Sequence, residues 1–127
     1  MNPKAQISAE FIIFVGLAFL ITIAFVVISL DQLNDFRIKK EDEAVKDLTL
    51  KLQRELLLAA TVEDGYIRTF TIPNKLERVN YSITMQNSTM TVESKNSLYI
   101  VAIPNSVGNI NKGTNNINKT GGVIYIN

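Results

Sequence analysis

The sequence contains no cysteine and no histidine. The first absence excludes disulfides, thiolate metal sites and thiol nucleophiles, and the second removes the commonest general base and metal ligand. Proline is missing between Pro3 and Pro73, so nothing in that stretch forces a helix to break. Charge is missing between Phe11 and Leu30. Across all 127 residues the net charge is only +1, which gives no footing for nucleic-acid binding. No glycine-rich phosphate loop is present, and the carboxylates lie among mixed charges or near turns, without a close pair framed by apolar residues. The asparagine-rich stretch from Pro104 to Gly122 holds no Asp or Glu that could cage calcium. The expectation is a protein that is not an enzyme and has no catalytic residue, cofactor or metal site.

What is present is unevenly spread. Phe11 to Leu30 reads FIIFVGLAFLITIAFVVISL, twenty residues in which only Thr22 and Ser29 are polar. That is the length an α-helix needs to cross a hydrocarbon core of roughly 30 Å. A domain this small has no interior able to surround a helix that is apolar on every side, so a membrane or membrane-like environment is expected. At the mouth of the run stands Glu10. An acid inside a membrane span costs about 2.5 to 3.5 kcal/mol at the helix centre and less at the edge, so its presence points to a function. The plainer account places it in the headgroup region, or pairs it with an amine four residues back.

Helical pattern continues past Leu30. Leu33, Phe36, Val45, Leu48, Leu52, Leu56 and Ala59 recur mostly at steps of three and four, with charged residues between them. One helix from about Ile7 to about Ala60 would be roughly 80 Å long at 1.5 Å rise per residue. The mixed charges from Lys39 to Glu55 read as a solvated face with weak ion pairs and no chemistry.

Asp64 and Gly65 give a turn signal, after which the period changes to two. Val79, Tyr81, Ile83 and Met85 share one strand face, a turn follows at Gln86 to Ser88, and Met90 and Val92 continue the apolar face as a hairpin. Tyr66 to Ile72, Leu98 to Ile103 and Val123 to Ile126 are further strand candidates. The last two are apolar on both faces, which predicts central strands or strands whose second face meets a partner. Pro104 to Gly122 reads as a long loop. The expected fold is α+β: one long N-terminal helix with a protruding apolar half and a packed amphipathic half, and a small, mainly antiparallel C-terminal sheet of four or five strands.

Lys4 and Ala5, then Gln6, Ser8, Glu10 and Phe11 in QISAEF, followed at once by the apolar run, resemble the class III signal peptide of archaeal type IV pilin precursors. The remainder resembles these pilins in outline, and FIIFVG does not match the glycine-rich segment of archaeal flagellins. The resemblance implies that a prepilin peptidase of the aspartyl type cuts between Ala5 and Gln6. Residues 1–5 are then a leader, 6–30 a transmembrane and filament-core helix, 31–62 an amphipathic helix and 63–127 a β-rich head. It further implies that Glu10 pairs with the new amine of Gln6 on a neighbouring copy, making these two the assembly contact. The implied partners are further copies in a helical filament, the peptidase, and the assembly ATPase with its membrane platform. The implied location is the cell membrane for the precursor and the cell surface, as an adhesive pilus, for the product.

Asn80, Asn87 and Asn118 head three N-x-S/T sequons and are expected to be reachable for N-glycosylation on a surface protein. Two other readings stay open. Cleavage after an ordinary secretory signal near Val27 to Ser29 would release a soluble domain, although the apolar run exceeds a usual signal core. A single-span anchored protein could instead use its sheet domain to bind a partner or a wall component.

Overall fold

The computed structural model describes the backbone of residues 3–127 and the side chains from Ala9 onward. Helix α1 occupies Pro3–Thr61, as the missing proline allows. Seven strands follow: β1 Ile67–Ile72, β2 Tyr81–Gln86, β3 Thr89–Ser94, β4 Leu98–Ala102, β5 Ser106–Gly108, β6 Gly113–Thr120 and β7 Val123–Ile126. The chain divides into two units between Arg37 and Ile38.

In the second unit the strands form two sheets rather than the single sheet expected. One is the meander β2-β3-β4; the other has the order β1-β6-β7-β5, antiparallel except for the parallel pair β5 and β7. The expected loop from Pro104 to Gly122 is therefore largely strand. Its polar letters hid a two-residue period, in which Asn115, Ile117 and Lys119 of β6 turn inward while Asn118 and Thr120 turn out.

The core forms where the apolar helix stripe meets both sheets. Val45, Leu48, Leu52, Leu56 and Ala59 of α1 are buried in one cluster with Phe70, Ile72, Tyr81, Met90, Val92, Ile117, Ile124 and Ile126. The spacing of three and four on the helix and of two on the strands puts these residues on facing surfaces. Thr49 is also buried, and its hydroxyl is satisfied by donating to the Val45 carbonyl at 2.7 Å.

The two strands read as apolar on both faces diverge. β7 is an interior strand, as expected, between β6 and β5. β4 is an edge strand: Tyr99 and Val101 pack on the core, while Leu98 and Ile100 remain 57% and 62% exposed. Its run of apolar letters came from a second face that no described residue covers.

Tight turns join the antiparallel pairs. Asn87 and Ser88 at φ 51° and 60° close β2 onto β3, and Gly121 and Gly122 at φ 61° and 76° close β6 onto β7. Both fit the two-residue hairpin in which each central residue is left-handed.

Candidate functional site

Among its described residues the first unit presents an apolar surface from Phe11 to Leu30, with Glu10 before it and Asp31, Asp35 and Arg37 after it. Every described side chain from Ala9 to Arg37 is exposed, apart from the half-buried Ser29. Among the described residues this is the one helix long and apolar enough to cross a membrane. Its two hydroxyls are internally satisfied: Thr22 donates to the Ala18 carbonyl and Ser29 to that of Phe25, each at 2.8 Å. Neither therefore carries an unpaired polar group into an apolar environment. Glu10 is exposed, and Phe11 beside it is 68% exposed. The peptide bond between Ala5 and Gln6 lies within α1, while the side chains of Ala5, Gln6 and Ser8 lie outside the described residues.

In the second unit three polar clusters fix the helix to the strands. Glu41, 5% exposed, accepts hydrogen bonds from Ser94 Oγ at 2.7 Å and Asn96 Nδ2 at 3.0 Å. Asp42 accepts from Ser97 Oγ and the Tyr99 hydroxyl, both at 2.8 Å. The bond from Ser97, and then that from Tyr99, hold the Asp42 carboxyl below the usual carboxylate range; the same contact with Asp42 pushes the Tyr99 phenol up. Gln53 Nε2 donates to the Ala102 carbonyl at 2.8 Å. The turn between β3 and β4 and the end of β4 are thereby tied to three turns of α1.

At the helix end, Lys119 of β6 is 9% exposed and donates from Nζ to the carbonyls of Ala60 and Val62, at 2.7 and 2.6 Å. A helix ends with carbonyls that lack partners and with partial negative charge, and a buried ammonium answers both. Asp64 Oδ1 accepts from the Gly122 amide at 2.9 Å, and the Gly65 amide donates to the Lys119 carbonyl at 2.9 Å.

Asn115 organises the approach to β6. Buried at 1% exposure, it accepts from the Asn111 amide at 2.7 Å and donates to the carbonyls of Asn111 and Gly113 at 2.6 and 3.1 Å. The asparagine richness of this segment is in part a scaffold for its own backbone.

The three sequon asparagines are all exposed but occupy different settings. Asn80 lies just before β2, Asn87 in the β2–β3 turn, and Asn118 on β6 rather than in a loop.

The residues that fix the helix were missed in the sequence because Lys39 to Glu55 looks like a solvated face. Glu41 did carry a signal. It stands four residues before Val45 and so extends the buried stripe by one turn, with Ser94 and Asn96 supplying the donors a buried acid needs. Lys119 carried none, since its partners are main-chain carbonyls some sixty positions earlier. No metal-binding group of acidic residues occurs among the described residues. Comparison with known protein families, curated proteins and solved structures found no match to the chain.

Proposed function

We propose that this chain is the precursor of an archaeal type IV pilin, a structural subunit that assembles through its apolar helix into an extracellular filament for surface attachment. The observation that carries the reading is the apolar helix stretch from Phe11 to Leu30, exposed at almost every side chain and headed by QISAEF. A surface of that size requires either lipid or copies of itself. The leader motif supplies a route from the first to the second: cleavage before Gln6 frees an amine, and Glu10 gives it a partner. The α+β architecture, a long helix followed by β-structure, supports the same reading. In the filament the helices of many copies bundle as the core, Glu10 of one meeting Gln6 of another, and the heads face solvent. An acid enclosed by apolar helices is tolerated only when paired, so this contact selects the docking register.

Terminal sequencing of the mature protein tests the proposal. A chain starting at Gln6 is expected. A chain that keeps Met1 would instead indicate a single-span anchor whose β domain binds a partner, and a start near Leu30 would indicate secretion.

A further inference from the structure

The outer face of the four-stranded sheet carries a row that crosses all four strands. Ile67 of β1 is directly opposite Asn118 of β6, Asn118 is opposite Tyr125 of β7, and Tyr125 is opposite Val107 of β5. Directly paired residues share a face, with Cβ atoms about 4.5–5.5 Å apart in the antiparallel pairs. The rest of this face is mainly polar, with Thr69, Thr71, Thr114 and Thr120 exposed. Its exposed large apolar residues all fall in the row of Asn118: Ile67 at 65%, Tyr125 at 46% and Val107 at 55%. Single exposed apolar side chains call for no explanation, but three in line on a threonine-rich face do. The residue in their midst heads a sequon whose Thr120 hydroxyl lies on the same face, 3.4 Å from Asn118 Oδ1.

We propose that Asn118 carries an N-linked glycan whose first sugar lies over Tyr125, in a bed bounded by Ile67 and Val107. A pyranose presents axial C–H groups with partial positive charge on one face, and the ring face of tyrosine is negative, so the two stack. The hydroxyls at the sugar's rim meet the neighbouring Thr and Asn side chains. Asn80 and Asn87 have no such bed: neither lies in a strand register opposite an aromatic residue. In the transfer the Asn118 carboxamide nitrogen bonds to the anomeric carbon of an isoprenoid-phosphate-linked oligosaccharide. The bond from that carbon to phosphate oxygen breaks, the lipid phosphate leaves with the electron pair, and the amide gives one proton to a base on the transferase. The proposal rests on the head lying outside the membrane, as in the filament reading.

The test uses the full chain recovered from the cells that make it. Mass analysis of the peptide spanning Asn118 is expected to show an added oligosaccharide that is absent from Asn118→Gln; a bare peptide in every copy overturns the proposal. Thermal unfolding of the detergent-solubilised full chain then reads the bed. Tyr125→Thr is expected to lower the midpoint of the glycosylated chain by on the order of 4 °C more than it lowers that of Asn118→Gln. Equal shifts in the two backgrounds overturn the stacking. The same digest reads the N-terminus, which separates the two readings. A Gln6 start with bare Asn118 removes this proposal and leaves the filament standing; glycosylated Asn118 on a chain that keeps Met1 does the reverse.

Discussion

Lys119 caps the helix through Ala60: the ammonium on β6 donates to the Ala60 carbonyl at 2.7 Å, joining residues 59 positions apart in the chain. Lys119→Met keeps the aliphatic stem and the sequon headed by Asn118 but leaves the carbonyls of Ala60 and Val62 without this donor. The expected loss is about 1–3 kcal/mol, the cost of leaving buried polar groups unpaired. Chemical denaturation of the full chain in detergent measures it, and an unchanged midpoint would mean water replaces the ammonium at no cost.

Gly108 is required by space as well as by torsion. Its φ is 105°, and a Cβ added there would collide with the carbonyl oxygen of Ile126 in β7. Gly113 has φ 97° with nothing within 4 Å of an added Cβ. Gly113→Ala is therefore expected to cost about 1–2 kcal/mol from torsion alone, and Gly108→Ala clearly more, with loss of the β5 pairing. Equal midpoints for the two variants would rule out the steric account.

Stability at acid pH is expected to depend on Asp42. Its folded carboxyl titrates below the usual range because Ser97 and Tyr99 donate to it. A depressed folded value means the stabilisation is complete above the unfolded carboxylate value, about pH 4, and disappears as pH falls through the folded value. Asp42→Asn should give a lower midpoint at neutral pH and a shallower fall below about pH 4 than the parent. Parallel curves for the two proteins would show that Asp42 is not the group responsible.

Glu10→Ala tests assembly itself. The variant is expected to accumulate in the membrane, to be cleaved before Gln6, and to yield no filaments by electron microscopy. Normal filaments from that variant would remove Glu10 from the assembly contact.

The helix and its buried stripe were legible in the sequence because a period of 3.6 and an uninterrupted apolar run are local signals. Val45, Leu48, Leu52, Leu56 and Ala59 are all buried, as their spacing predicts. The β2–β3 hairpin was legible for the same reason. What was not legible depends on partners distant in the chain. β6 looked like a loop because asparagine and threonine dominate it, yet Ile117 is fully buried and Asn115 serves the local backbone. β4 looked central because apolar letters on both faces do not reveal which face has a neighbour. Glu41 and Asp42 looked solvated because Ser94, Asn96, Ser97 and Tyr99 lie more than fifty residues downstream. The exposure of Phe11 to Leu30 agrees with the apolar run, while the proposed cleavage before Gln6 and the proposed pairing of Glu10 would involve other chains.

The sheet order also sets a timetable. β1 pairs with β6, so its pairing cannot form until β2, β3 and β4, a meander of local pairings, have been made. Until β6 is made, the stripe from Val45 to Ala59 has only the meander available to cover it. Asn118 stays exposed once β1 and β7 flank it, so the closed sheet still offers the sequon from its outer side. A transferase that arrives before closure would meet an open strand, and one that arrives after it would meet the outer face alone.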